Sequence, residues 1–322
     1  MPDVSKIVVA MGDENGLADG LRAAHPNLTI VGAGDKDDIL REIVDADGVI
    51  CWRIPNESLD VAERLKWVHV AAAGVEALLA MPGFREKDLL LTNSSGVSAP
   101  NMAEHAIAMI LAFGRRFPAL IRSQGRHAWR EWDSFGGAFE IGGQTVALIG
   151  LGAIGSETAK RAKALGMHVV GVKRTAAGEL PNVDEIHAID DIDTALAQAD
   201  HVVSSLPSTS ETRGLFDAGR FAAMKEGSFF YNIGRGTTVV QDELIAVLKS
   251  GHIAGAGLDV TDPEPLPAES PLWDLENVLI TSHTSGNSPR VRERVLELAI
   301  ENVRRFVAGE ELLNIVDQSL GY

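Results

Sequence analysis

Residues 145–175 read TVALIGLGAIGSETAKRAKALGMHVVGVKRT, and the order of residue types along them decides the fold. Val146, Ala147, Leu148 and Ile149 form a short continuous apolar run, as a parallel strand buried on both faces requires. Gly150, Gly152 and Gly155 follow at the spacing of a dinucleotide-binding turn. One glycine serves the bend, one lets a pyrophosphate approach the backbone, and one lets helix and strand meet closely. A helical segment with Ala159, Ala162 and Leu165 on one side comes next, and its first-turn amides and dipole suit phosphate. Residues 167–172 predict a second strand. Three glycines alone are weak evidence, but strand, turn, helix and strand in that order are specific.

The end of the second strand bears on which dinucleotide is bound. A site for NAD usually places Asp or Glu about 20 residues past the glycines, to hold the ribose 2'-hydroxyl. This chain has Lys173, Arg174 and Thr175 there. A guanidinium fork, an ammonium and a hydroxyl suit the 2'-phosphate of NADP. NADP is the expected cofactor, with NAD the alternative.

Composition frames this site. A chain of 322 residues with 45% hydrophobic content can bury the cores of two domains. A net charge of -16 argues against nucleic acid as a partner, because phosphate backbones are bound through clustered Lys and Arg. Cys51 is the only cysteine, which excludes an internal disulfide and fits a reducing compartment. The first residues show no signal-peptide pattern, and no apolar run approaches a membrane span of about 20 residues. A soluble cytoplasmic protein is expected, with no membrane partner. His25, His69, His105, His127, His168, His187, His201 and His252 show no metal-ligand grouping, so no metal site is predicted and none of them is assigned chemistry.

Upstream of the glycine turn, strands are predicted over 7–10, 28–31, 48–52, 65–71 and 89–92, with helices over 16–24 and 38–44. Strands alternating with helices imply an α/β fold with a parallel sheet covered on both faces. Residues 1–98 therefore form a smaller α/β domain without a glycine fingerprint. Residues 100–113 predict a helix, with Pro100 suited to its first turn. Residues 117–140 are read as an irregular connection whose Trp129, Trp132 and Phe135 pack. Beyond the fingerprint, strands over 201–206, 228–233 and 254–260 and a helix over 241–250 continue the pattern. Pro289 opens a long helix over 291–309 that leaves this domain.

Three segments carry chemistry, each at the end of a strand. Asn232-Ile233-Gly234-Arg235-Gly236 sets an arginine between glycines. Asp259-Val260-Thr261-Asp262-Pro263-Glu264-Pro265 sets acids among prolines. Thr281-Ser282-His283-Thr284-Ser285-Gly286 carries a histidine. Carboxyl ends of parallel strands line the ligand crevice, so Arg, Glu and His should converge beside the cofactor.

With these four ordered motifs, the chain resembles the D-isomer-specific 2-hydroxyacid dehydrogenase family over essentially its whole length. The resemblance implies two parallel-sheet domains: a flavodoxin-like substrate domain made from 1–98 and 289–322, and a Rossmann NAD(P)-binding domain, 99–288, inserted in it. It implies an oxidoreductase moving hydride between NADP(H) and a small 2-oxo or D-2-hydroxy acid, assembled as a homodimer. By this resemblance Arg235 is the catalytic arginine, Glu264 the glutamate and His283 the acid/base histidine. Asp262 is the rival acid, but the one directly before Pro265 matches the family. The resemblance further assigns the substrate carboxylate to the backbone of Ala73, Gly74 and Val75, together with Arg235 and His283. It extends the cofactor contacts to Ala153, Ile154, Pro207, Thr212, Ile233 and Asp259.

Cys51-Trp52-Arg53-Ile54-Pro55 resembles the glyoxylate and hydroxypyruvate reductases, which carry a Trp there. His283 is followed by Thr284, Ser285 and Gly286, so no large residue there restricts substrate size. A formate dehydrogenase would pair its histidine with glutamine, and Glu264 is an acid. The alternative from another class is an NAD(P)-sensing binding protein of the same fold with little or no catalysis.

Overall fold

In the first strand, Ile7 and Val9 face one side and Val8 and Ala10 the other, and all four are buried. That alternation places the strand in the middle of a sheet covered on both faces. The computed structural model describes residues 4–12, 16–129, 137–176 and 178–320. It divides into two compact units, Met1–Val97 with Ser288–Tyr322, and Ser98–Asn287.

The first unit runs β1 (Lys6–Ala10), α1 (Leu17–Ala24), β2 (Thr29–Gly32), α2 (Lys36–Glu42), β3 (Gly48–Cys51), α3 (Ser58–Val61), β4 (Trp67–Val70), α4 (Glu76–Leu79) and β5 (Leu90–Asn93). Its described strands are all parallel in the order β2-β1-β3-β4-β5, the flavodoxin-like arrangement.

The second unit contains α5 (Ala99–Gly114), α6 (Phe117–Gly125), β6 (Thr145–Ile149), α7 (Ala153–Ala164), β7 (His168–Lys173), β8 (Glu185–Ala188), α8 (Ile192–Gln198), β9 (His201–Ser204), α9 (Ala218–Ala223), β10 (Phe229–Asn232), α10 (Gln241–Ser250), β11 (Gly255–Leu258) and β12 (Val278–Ile280). The order β12-β11-β10-β9-β6-β7-β8 is again fully parallel, and it reverses between β6 and β9 as in a doubly wound dinucleotide-binding sheet. Val146 and Leu148 pack on α5 and α7 through Met109, Ile110, Ala159 and Ala162. Ala147 and Ile149 face Leu196, Phe221, Leu244 and Leu248 of α8, α9 and α10.

The chain then returns to the first unit through α11 (Pro289–Ala308), which starts where Ser288 accepts from the Arg290 amide and Pro289 occupies the first turn. Gly309 ends it with φ 69, a left-handed position that costs glycine least. Ala299, Val303 and Phe306 bury its apolar stripe beside Ile7, Leu21 and Trp67. The first unit is thus built from both ends of the chain.

The segment read as irregular over 117–140 contains α6 instead. Pro118 lies at its start, after Arg116 turns the chain with φ 61. Phe117, Leu120 and Ile121 stand at helical spacing, but the apolar set spans little more than one turn before polar residues follow, and Phe117 and Ile121 lie exposed. Trp129 is 90% exposed and does not pack as expected. Trp132 and Phe135 lie outside the described residues. Among the described residues no helix is long and apolar enough to cross a membrane.

Candidate active site

Register sets out the site. Val172, Ile149, Ser204, Asn232, Leu258 and Ile280 are consecutive partners across the second sheet, forming one row. The next residue on each strand is Lys173, Gly150, Ser205, Ile233, Asp259 and Thr281. The residues singled out in the second unit therefore follow directly from a single edge of the sheet, at the carboxyl ends where such folds bind ligands.

At the glycine turn, Gly150 has φ 103, open to glycine without strain. A Cβ on Gly155 would stand 2.0 Å from the Gly150 carbonyl oxygen, so helix and turn meet as closely as the fingerprint requires. A Cβ on Gly152 would have nothing within 4 Å. No side chain caps α7, which leaves first-turn amide donors at Ala153 and Ile154 to a ligand. A pyrophosphate fits these features. Lys173 ends β7, with Arg174 and Thr175 just beyond it. After β9, the Thr212 hydroxyl donates to the Pro207 carbonyl at 2.6 Å and ties that loop into a turn.

The glycines around Arg235 have a steric cause. A Cβ on Gly234 would lie 2.5 Å from the Leu206 carbonyl oxygen, and one on Gly236 would lie 1.8 Å from that of Thr261. Three loops are in backbone contact here, and only glycine fits between them. Asn232 shapes the turn, accepting from the Gly234 amide at 3.1 Å and donating to the Arg235 carbonyl at 3.0 Å. The Arg235 guanidinium donates to the Gly234 carbonyl at 2.9 Å.

Glu264 and His283 form a pair, with His283 Nδ1 2.8 Å from Glu264 Oε2. The other carboxylate oxygen accepts from the Thr261 amide at 3.0 Å, which fixes the acid. With Nδ1 donating to a carboxylate, Nε2 is the nitrogen left to exchange a proton. The His283 side chain is 54% exposed, so this nitrogen is within reach of a small molecule.

The backbone that presents His283 is unusual: Ser282 and His283 have φ 51 and 57, left-handed values that side-chain-bearing residues rarely adopt. Asp259 holds them. Its carbonyl accepts from the His283 amide at 2.6 Å. Its carboxylate accepts from the Thr281 hydroxyl at 2.6 Å, the Thr284 amide at 2.9 Å and the Ser285 amide at 3.1 Å. Burial raises the Asp259 pKa, but hydrogen bonds from Ser285, Thr281 and Thr284 outweigh it and leave the acid below its ordinary range.

The helix α5 also touches this loop. His105 Nε2 lies 2.9 Å from Thr281 Oγ1, and Asn101 Nδ2 donates to the Ser285 carbonyl at 2.8 Å. Neither residue was singled out from the sequence, where His105 was set aside with the other histidines. Among the described residues no group of His, Cys, Asp or Glu could hold a metal ion.

Ala73, Gly74 and Val75 belong to the first unit and follow β4. The Ala73 carbonyl accepts from Asn93 Nδ2 at 2.8 Å, and the Ala72 carbonyl from the Ser94 amide at 2.9 Å. Behind them, buried His69 bridges the hydroxyls of Thr92 and Ser94 at 2.8 and 3.1 Å, and burial lowers its pKa to about 4.

Comparison with known proteins agrees with this geometry. Residues 107–285 match the family model described as D-isomer specific 2-hydroxyacid dehydrogenase, NAD binding domain. Glyoxylate reductase of Thermofilum pendens is 32% identical over 282 residues, 85% of this chain and 82% of that protein. A D-isomer specific 2-hydroxyacid dehydrogenase from Xanthobacter autotrophicus, solved with NADPH and MES, is 32% identical with a TM-score of 0.85, covering 99% of this chain and 100% of that one. An NADPH-dependent glyoxylate/hydroxypyruvate reductase from Sinorhizobium meliloti, solved with NADP and sulfate, is 29% identical with a TM-score of 0.86 over 99% and 100% of the two chains. D-3-phosphoglycerate dehydrogenase of Methanocaldococcus jannaschii is 30% identical over 88% of this chain, which spans only 54% of that protein's length. Fingerprint, sheet order and these matches agree: the chain belongs to the D-isomer specific 2-hydroxyacid dehydrogenase family.

Proposed function

We propose that this protein reduces a small 2-oxo acid of the glyoxylate or hydroxypyruvate kind to the D-2-hydroxy acid with NADPH. The observation that carries the proposal is the 2.8 Å bond between His283 Nδ1 and Glu264. Glu264 holds the ring through Nδ1 and leaves Nε2 as the nitrogen that gives its proton to the ketone oxygen, as reduction requires. In the reverse direction the neutral ring takes the proton back. Arg235 pairs with the substrate carboxylate and polarises the adjacent ketone. When bound, the nicotinamide would supply the hydride.

Gly150, Gly152, Ala153, Ile154 and Gly155 are assigned to the pyrophosphate, and Lys173, Arg174 and Thr175 to a 2'-phosphate. Two relatives solved with NADP or NADPH support the NADP assignment. Pro207, Thr212, Ile233 and Asp259 are assigned to the rest of the cofactor. In the first unit, the turn at Ala73, Gly74 and Val75 is assigned an anion-binding role, since amides in such turns suit a carboxylate. A homodimer working in the cytoplasm completes the proposal.

Initial rates with glyoxylate, hydroxypyruvate, pyruvate and bulkier 2-oxo acids, each with NADH and NADPH, test it. The small acids with NADPH should be fastest. A wide margin in favour of NADH would overturn the assignment of Lys173 and Arg174. No turnover above background with any acid would point to a binding protein.

A further inference from the structure

We propose that Asn101 and His105 on α5 are positioning residues that hold the His283 loop in its working conformation, an inference that rests on His283 being the acid/base. They are four residues apart and so share a helix face. One grips each flank of the strained pair: His105 reaches Thr281 Oγ1 at 2.9 Å, just before Ser282, and Asn101 reaches the Ser285 carbonyl at 2.8 Å, just after Thr284.

The proton arrangement on the first flank follows from chemistry. Asp259 is ionised and can only accept, so the Thr281 hydroxyl spends its one hydrogen on Asp259 Oδ1 at 2.6 Å. Thr281 Oγ1 then accepts from His105, whose Nε2 must carry a hydrogen. On the second flank, Asn101 Oδ1 is buried without a hydrogen-bond partner among the described residues. A buried orphan acceptor is unfavourable, so an amide at this position is explained by what its NH2 does.

The loop needs such an anchor because β12, the strand leading into it, has only three residues and lies at the edge of the sheet. The helix α5 is firmly seated: Ala106, Met109 and Ile110 are buried in the core beneath the sheet. The loop is therefore gripped by β11 through Asp259 and by α5 through Asn101 and His105, with Ser282 and His283 between the two grips.

Steady-state kinetics with the fastest 2-oxo acid of the substrate panel, cofactor Kd from fluorescence quenching, and thermal midpoints of His105→Ala, His105→Gln, Asn101→Ala and His283→Ala test the proposal. A misplaced proton donor predicts kcat lower by about 10- to 100-fold in His105→Ala and Asn101→Ala, with cofactor Kd within about twofold of wild type. His105→Gln, which keeps an N–H donor, should recover to within about fivefold of wild type. Combined with His283→Ala, His105→Ala should slow the residual rate no further, since both act through one group.

Wild-type kcat in both alanine variants overturns the proposal. So does an equal loss in His105→Ala and His105→Gln accompanied by a fallen midpoint and weakened cofactor binding, the mark of a merely structural role. If His105→Ala fails to fold, Asn101→Ala and His105→Gln decide alone. Wild-type turnover in His283→Ala would instead refute the acid/base assignment itself, an outcome distinct from inactive His283→Ala with unaffected α5 variants.

Discussion

Replacing Asp259 tests whether strain in the His283 loop is maintained by a clamp. Its buried carboxylate takes three donors: the Thr281 hydroxyl and the amides of Thr284 and Ser285. Charge-assisted bonds contribute about 1.5 to 3 kcal/mol each, so the clamp stabilises the loop by about 5 to 9 kcal/mol. Against it stand two left-handed residues, Ser282 and His283, each costing about 1 to 2 kcal/mol. The clamp wins in the wild type. In Asp259→Ala only the α5 contacts and the residue-259 carbonyl still oppose the strain, and the loop relaxes, which returns part of the loss, so unfolding free energy should fall by about 3 to 5 kcal/mol, less than the clamp alone is worth. Turnover should fall by about 100-fold, because relaxation misplaces His283. Asp259→Asn keeps one acceptor oxygen, for the Thr281 hydroxyl and the Thr284 amide, but turns the other into an NH2 that cannot accept from the Ser285 amide, which with the lost charge brings clamp and strain close to balance, so its kcat should lie between the other two. Denaturant unfolding followed by fluorescence gives the first quantity and steady-state kinetics the second. A stability loss of this size with wild-type kcat would refute the strain argument. A fall confined to cofactor affinity would show that Asp259 acts on the nicotinamide instead.

Four further outcomes are expected. The Asp259 pKa is depressed in the folded state, so its contribution is present above its unfolded value, about 3.9, and is lost as pH falls through the folded one; Asp259→Asn should flatten the acid limb of the stability curve below about pH 4. His69 and His201 are buried, and burial lowers both to about 4 from 6.5. Unfolding lets each take a proton in that window, so stability should fall from pH 6.5 to 4 by up to about 1.4 kcal/mol per unit for each histidine, and denaturation midpoints at pH 7 and 5 should show the slope shrink in His201→Gln. Gly155→Ala, whose Cβ would meet the Gly150 carbonyl oxygen at 2.0 Å, should cost at least about 3 kcal/mol in denaturant unfolding and weaken cofactor binding. Arg174→Ala should raise the KM for NADPH at least about tenfold and leave that for NADH nearly unchanged, with parallel changes in both counting against a 2'-phosphate role.

What was legible in the sequence is what a single loop or element carries. The apolar run at Val146 to Ile149, the three glycines, and the Arg235, Glu264 and His283 segments each combine residue type and spacing over a few positions. Because a parallel sheet aligns its strand ends, reading each end alone was enough to place them on one edge. α8 went unread although Ile192, Ala195 and Leu196 repeat at helical spacing and are buried. β8 offered less, since Glu185–Ala188 is a partly exposed edge strand of only four residues, too short for its alternation to stand out.

The contacts that position His283 were illegible for a different reason. His105 and Thr281 are 176 residues apart, and Asn101 and Ser285 are 184 apart. Nothing local marks either pair: α5 reads as an apolar helix rich in Ala, Met and Ile, in which Asn101 and His105 form no motif. The folded register brings α5 across the end of β12 and makes those residues partners. The same holds at Gly234 and Gly236, where the sequence shows only an arginine between glycines, while the requirement comes from backbone at Leu206 and Thr261, two other loops. Reacting groups can be read from short motifs because their chemistry is carried by the side chain itself. The groups that aim them act only through geometry, and that geometry exists only once distant strand ends have been brought together.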